Sequence, residues 1–584
     1  MFPDYSVLRR WRLPTLFGDR ALGMRFQRTD HVEWSIRFEG AGHERVEIPC
    51  AEFSALQVTA GTKPFGAGTV QRFVNREYKQ SELTLLAFAA GFDVREKYVV
   101  NYTLPDFGEA DLIGGKGSLP GHPVVPPATV PVESEVNVRA GFESRVEQHK
   151  NRAEPEVDYV QDFLKFVIPK SPALCPYSFD EVEKEMLKTP LQNARYNDDV
   201  RFAANQKDKT VKVFCKVEPV NDGMENAKPA RLIMPTSQKM LAGMARYAIP
   251  AKKWLSDNTK WCCVGLSPSA LAERVTEFCG SRDYVETDFT KMDARISPHL
   301  REVYRQFLLR LFRRSCREDI TRILDMHIDA QLRIPHVGKR KSGTMNLSGS
   351  ADTTLLNTVV NAYCDYLACR LAKLRPDEVV IGPKYGDDGI SRAGIDFEGV
   401  CQQTGCKIKV TECESGGPVS FLSRVYPAPR SEYGSYACWQ RALSRIPVTT
   451  NPNSIVGFAL KVRGYLVTDS KSPVIGAVLR AYNRIYQLDK VDVNGKYARP
   501  DEVWRFVDGP YPEVGPIGRL VAEAEFEKMF GVTLGQFESS VDAAKTIADL
   551  EAICLVQSMS NLGVDPVKPK GLQRVSSPLR EEQH

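Results

Sequence analysis

The chain has 584 residues, a length that by the usual prior holds several domains. Its hydrophobic share of 42% and charged share of 26% are those of a globule with a large core and exclude a disordered scaffold, while a net charge of +5 is too small to announce a nucleic-acid partner. The 14 cysteines are irregularly spaced with no CxxC pair, which indicates neither a zinc ribbon nor a disulfide framework and fits a reduced compartment. The opening MFPDYSVLRRWRLP has no signal-peptide core, and no apolar run approaches the roughly 20 residues that span a bilayer.

Residues 1–121 give little chemistry. His31 to Phe38 and Arg45 to Ile48 alternate like strands, and Gln80 to Ala90 has the pattern of a short buried helix, so a small α+β extension is expected. Asp106 to Val132, rich in Gly and Pro, reads as a linker. Helical patterns follow at Tyr159 to Val167 and Phe179 to Leu187. The polar stretch Gln192 to Lys209 has no distinctive feature. The block Val213 to Pro235 carries Lys228 and Arg231, cations of the kind a nucleotide triphosphate needs, although a surface ribbon of alternating charge has the same pattern.

From Ser267 to Cys279 a helix is expected, and Tyr284 to Ser297 (YVETDFTKMDARIS) then delivers Asp288 at the end of a β-prone run, with Asp293 five positions later. Arg295 to Arg314 holds Arg295, Arg301, Arg305, Arg310, Arg313 and Arg314, and Lys339-Arg340-Lys341 follows. A basic stripe beside acids suits a phosphate backbone. A solvated helix face is the equal alternative, since Val303, Tyr304, Phe307, Leu308 and Leu311 repeat at helical spacing. A Gly-rich loop, Ser342 to Ser350, with Gly343 and Gly349, runs into a Thr-capped helix carrying Thr353 and Asn357; its amides and small side chains would let a nucleotide strand approach, with Ser348 on the loop.

Two short extended runs, Asp377 to Ile381 and Ile390 to Ile395, flank Lys384-Tyr385-Gly386-Asp387-Asp388-Gly389, which reads as a β-hairpin with adjacent acids at its tip. Paired carboxylates repel each other unless a hard divalent cation bound through oxygen lies between them, so a magnesium site is expected there, against the plain alternative of a solvated Gly-Asp turn. Asp288 meets that pair if its strand lies in the same sheet, and three carboxylates are the usual requirement of two-metal phosphoryl transfer. Phe397 to Gln403 reads as a helix and Cys406 to Thr411 as a strand; helices follow at Val474 to Gln487, Leu520 to Met529 and Val541 to Met559, and Val564 to His584 has the composition of a disordered tail.

The ordered series Asp288/Asp293, SGSADTTLLN and YGDDG, with Val213 to Pro235 before it and SFLSRVY at Ser420 to Tyr426 after it, resembles motifs A, B, C, F and E of the RNA-dependent RNA polymerases of positive-strand RNA viruses. KPARLIMP, VGLSPSAL and GCKIKV are most similar to the nodavirus and tombusvirus branch. The resemblance implies an α+β right-hand fold: linker and fingers over 122–263, palm with an antiparallel sheet over 264–424, helical thumb over 425–563 and tail over 564–584. It implies Asp288 and Asp387 as ligands of two Mg²⁺ ions, replaceable by Mn²⁺, with Asp388 as an outer ligand, and Lys216, Lys228 and Arg231 on the triphosphate. Asp293 with Asn357 would read the ribose 2′-OH, ordered by Ser348 and Thr353; Lys409, with Lys407 as competitor, would protonate pyrophosphate. Arg295, Lys339, Arg340, Lys341, Gly343 and Gly349 are the RNA-contacting candidates. Template, product duplex and NTPs are the implied partners, and the implied setting is the host cytoplasm, in replication complexes held to membranes by viral or host anchoring proteins. A reverse transcriptase and a non-catalytic RNA-binding replicase scaffold are the rival readings; Asp293, where a DNA-making enzyme generally has a bulky ring, argues against the first.

Overall fold

The computed structural model describes residues 23–28, 34–39, 45–49, 135–147, 150–186, 209–216, 218, 230–448, 454–493 and 509–553. The expected helix at Gln80 to Ala90, the linker, residues 192–208, Lys228 and the tail lie outside them. The chain divides into two compact units, Met1–Asp111 and Leu112–His584. In the first, β1 (Gly23–Arg28), β2 (Trp34–Glu39) and β3 (Arg45–Pro49) form an antiparallel sheet in the order β1-β2-β3.

The second unit opens with α1 (Glu135–Arg145), α2 (Val160–Val167) and α3 (Phe179–Met186). Helix α2 buries Val160, Phe163, Leu164 and Val167, the apolar stripe that made it readable. Next come β4 (Thr210–Lys212), β5 (Phe214–Cys215) and β6 (Leu232–Ile233), then α4 (Gln238–Asn258) and α5 (Pro268–Cys279). Ser267 caps α5 and Pro268 opens its first turn, and Ser297-Pro298 repeats the device on α6 (Pro298–Leu311), placed after β7 (Tyr284–Phe289). Helix α7 (Arg317–His327) leads to β8 (Gln331–Ile334) and β9 (Gly338–Lys341); β8 pairs in parallel with β4 and antiparallel with β9.

Helix α8 (Thr353–Leu371) is the pivot of the unit. Its residues from Leu355 to Cys369 are all buried, so it is enclosed on every side. Asp352, not a threonine, is its N-cap residue; its side chain accepts from Ser350 Oγ and caps no amide of the helix. Thr353 instead turns its hydroxyl back toward the Leu347 and Ser350 carbonyls, 2.9 Å from each.

Beyond α8 lie β10 (Lys384–Tyr385) and β11 (Asp388–Arg392), then α9 (Phe397–Thr404) and β12 (Ile408–Glu412). The hairpin is shorter on its leading side than the sequence pattern implies. Residues Pro376–Glu378 form a 3₁₀ turn, because Pro376 fixes φ and lacks the N–H a ladder needs, and strand structure begins only at Lys384. One four-stranded antiparallel sheet results, in the order β10-β11-β7-β12. A smaller sheet of β13 (Val419–Phe421), β14 (Arg424–Tyr426) and β15 (Tyr436–Ala437) follows.

The rest is helical: α10 (Trp439–Arg445), α11 (Ser454–Asp469), α12 (Ile475–Ile485), α13 (Pro516–Phe530), α14 (Leu534–Ala543) and α15 (Ile547–Ala552). The single helix expected from Val541 is two, since Ala544 is extended and Thr546 with Asp549 forms a fresh capping box. These helices share a core around Trp439, Phe458, Tyr482 and Phe526, separate from the larger core of α2, α4, α6 and α8. Phe307 of α6 is fully buried in that larger core. Phe307→Ala should therefore cost about 3–5 kcal/mol, read as a shift in the urea midpoint without loss of helical circular dichroism below it.

Candidate active site

Strand β7 buries Tyr284, Val285, Thr287 and Phe289 and turns Asp288 outward near its end. In register, Asp288 faces Asp388 on β11 and Lys409 on β12. Residues opposite one another across strands share a face, so Asp388, Asp288 and Lys409 form a row. Asp387 stands exposed at the turn, next to Gly386 with its φ of +62°, and its carbonyl accepts the Phe289 N–H at 3.3 Å. The chain path thus brings the acid near the end of β7 and the hairpin pair to one corner, as the sequence spacing implied.

The electrostatics bear this out. Burial and then the Asp387 charge raise the Asp288 carboxyl, while Lys409 lowers it. Burial, Asp387 and Asp288 together push Asp388 up to about 7, opposed by Arg441. Asp293 rises to about 6 through burial and Asp387, opposed by its hydrogen bond from Asn357. One exposed carboxylate therefore acts on three others. Among the described residues no three acidic, His or Cys side chains already stand as a closed cation cage. The donor set is oxygen-only and self-repelling, which fits a hard divalent cation better than a soft one. A cavity of about 310 Å³ opens beside it, lined by Asp288, Asp388, Lys409, Glu286, Ser420 and Arg441. Lys409 lines this cavity and Lys407 does not.

Helix α8 grips the turn. The Gly386 N–H donates to Thr358 Oγ1 at 2.8 Å, and Asn361 Nδ2 donates to the carbonyls of Gly386 at 3.1 Å and Asp388 at 3.2 Å. One turn earlier on α8, Asn357 Nδ2 donates to Asp293 Oδ1 at 2.8 Å. Asn346 joins them, donating to Asp293 Oδ1 at 3.2 Å and to Asn357 Oδ1 at 3.0 Å. The sequence reading missed Asn346, Thr358 and Asn361; the α8 periodicity that places Asn361 one turn beyond Asn357 was the available signal.

The Gly-rich loop serves the protein's own backbone. Ser348 Oγ accepts the Met234 N–H at 3.1 Å and donates to the Leu232 carbonyl at 3.3 Å. A Cβ at Gly349 would lie 2.5 Å from Pro235 Cα, so glycine there admits another strand of this chain, where the sequence implied room for RNA. Gly343, with φ +62°, makes a left-handed turn whose carbonyl accepts the Asp329 N–H at 3.0 Å. Lys216 and Arg231 share Glu218, at 2.8 Å and 3.3 Å, and the Arg231 charge reaches Asp293.

Three arginines of the stripe serve carbonyls of this chain. Arg301 is buried and donates to the carbonyls of Thr344 at 2.7 Å and Met345 at 2.5 Å; Arg310 donates to Ile168 at 2.7 Å and Pro169 at 3.0 Å; Arg295 donates to Gly405 at 3.2 Å. The guanidinium fork suits paired carbonyls as well as phosphate oxygens, and loops supply the carbonyls here. Lys339, Arg340 and Lys341 are exposed along β9.

Because the folded Asp293 carboxyl ionises near 6 and an unstructured one near 3.8, the folded chain holds more protons between those values. That contribution to stability falls as pH rises through the window and is flat above it. Asp293→Asn should abolish this slope, so urea midpoints of parent and variant should diverge in the variant's favour as pH rises from about 4 to 6 and keep a constant gap above that.

Comparison with known proteins places this site in a family. Residues 195–436 match the family model for viral RNA-dependent RNA polymerase. The chain is 27% identical to the RNA-directed RNA polymerase of Macrobrachium rosenbergii nodavirus, over 65% of this chain and 37% of that one. It is 32% identical to that of Greasy grouper nervous necrosis virus, over 62% and 38%. The chain thus spans less than two fifths of the length of these curated relatives. The solved RNA-dependent RNA polymerase of a human picorbirnavirus aligns with a TM-score of 0.46 and 15% identity, over 76% of this chain and 86% of that one. Residues 195–436, with Asp288, Asp293, Asn357, Asp387 and Asp388 among them, are thus the part of this chain that matches the viral RNA-dependent RNA polymerases, and the relatives it resembles are nodavirus enzymes.

Proposed function

We propose that this chain copies a viral RNA genome by joining NTPs to an RNA 3′-OH. The observation that carries the reading is the corner where Asp288, Asp387 and Asp388 gather beside a hydrogen-bonded Asp293–Asn357 pair. In this reading residues 122–263 are linker and fingers, 264–424 the palm built on the four-stranded sheet, and 425–563 the thumb. Residues 1–121 are an extension whose role is open.

Asp288 and Asp387 would hold two Mg²⁺ ions, with Asp388 as an outer ligand; Mn²⁺ has the same oxygen preference. Bound there, such ions neutralise charge on the attacking and leaving oxygens. The chain's own residues do the rest. Asp293, held by Asn346 and Asn357, keeps a carboxylate oxygen toward the ribose, where a 2′-OH donates and a deoxyribose cannot. Arg231 and Lys216 meet the triphosphate, and Lys409, beside Asp288, gives a proton to pyrophosphate as the α-phosphate is attacked in line. Exposed Lys339, Arg340 and Lys341 meet template RNA. The setting is the host cytoplasm, on membranes through anchoring partners; among the described residues no helix is long and apolar enough to cross one.

Asp387→Ala with Asp388→Ala should lower Mg²⁺-dependent incorporation on an RNA template by at least about 100-fold while RNA binding persists. Undiminished synthesis by that variant defeats the reading. Asp293→Asn should narrow the preference for NTP over dNTP in side-by-side incorporation, the opposite of what a DNA-making enzyme would show.

A further inference from the structure

Lys384 stands three residues before Asp387, and its side chain is wholly buried. An ammonium has three donors, and all three are used. Nζ meets the Ile390 carbonyl at 2.8 Å, Ser391 Oγ at 2.6 Å and Asp365 Oδ2 at 3.1 Å. Asp365, on α8 and equally buried, also accepts the Gly382 N–H at 3.0 Å. The Lys384 backbone is held as well: its N–H donates to the Trp261 carbonyl at 2.7 Å and its carbonyl accepts the Cys263 N–H at 3.0 Å. One residue therefore ties together both hairpin strands, α8 and the segment before α5.

Gly389 lies opposite Lys384 in the ladder. A Cβ there would sit 2.9 Å from Lys384 Cδ, 3.0 Å from its Nζ and 2.8 Å from Thr287 Oγ1. The lysine stem passes where residue 389 has no side chain, which gives the glycine after the acid pair a physical reason. Burying a cation and an anion often returns less than an apolar pair of like volume would, so stability alone does not account for the arrangement. Direction does. An apolar pair would fill the space without fixing the distance between α8 and the hairpin.

We propose that Lys384 and Asp365 are positioning residues whose buried ion pair sets the distance and tilt of the hairpin against α8, and with them where Asp387 and Asp388 stand relative to Asp288. For catalysis this rests on the polymerase reading above; for cation binding it does not. The paired exchange Lys384→Met with Asp365→Leu removes both charges at similar volume and should leave the melting temperature within about 5 °C of the parent. Mn²⁺ binding, followed by electron paramagnetic resonance without nucleotide, should weaken at least about fivefold, and kcat for incorporation should fall at least ~10-fold with KM for NTP within about twofold. Ser391→Ala removes one acceptor, keeps the ion pair, and should weaken Mn²⁺ binding by a smaller step; it decides alone if the paired exchange does not fold. Parental Mn²⁺ affinity in the folded variants overturns the proposal. Weakened Mn²⁺ affinity in the variants of a parent chain that incorporates no nucleotide overturns the polymerase reading and upholds the positioning role.

Discussion

Two carboxylates face each other across neighbouring strands, and the architecture of the second unit follows from keeping them there. Asp288 and Asp388 are register partners, a placement that like charges disfavour. With Asp387 alongside, the corner has a surplus of negative charge that water alone offsets poorly once it is half-buried. Lys409 on the far flank of Asp288 relieves part of it and Arg441 another part. The remainder would favour a bound cation, so the repulsion and the proposed chemistry have one origin.

Such a corner needs a rigid frame, and α8 provides it. Asn357, Thr358, Asn361 and Asp365 all lie on this one enclosed helix and reach, in turn, Asp293, the Gly386 amide, two hairpin carbonyls and Lys384. Buried polar groups are costly unless partnered, and a network whose partners lie on different strands holds those strands at fixed distances. A helix apolar all round would pack as tightly and orient nothing.

Much of this could be read from the chain, for local reasons. The helix beginning at Ser267, the apolar stripe of α2 and the β-prone run of β7 are set by neighbours within a few residues. The acids near the end of β7 and at the hairpin turn stood out by their order and spacing along the chain, since a Gly-Asp turn is ordinary by itself. What sequence could not give was pairing at long range. Arg301 and Arg310 resembled a phosphate stripe because the loop carbonyls they serve are unknown until the loops are placed. Gly349 suggested access for RNA, and only the arrival of Pro235 shows whose backbone takes the space. Lys384 and Asp365, unremarkable apart, acquire meaning as a pair.

The strand order of the four-stranded sheet also bears on how the chain is made. Strand β7 lies inside the sheet, yet its neighbours β11 and β12 follow about a hundred residues or more later. During synthesis one of its edges stays open until the chain has been extended through Arg392 and the other until Glu412. Helices α5, α6 and α7, each built largely from local contacts, are complete before then and can shield it. The acidic corner therefore arises late in folding, when most of its frame already stands.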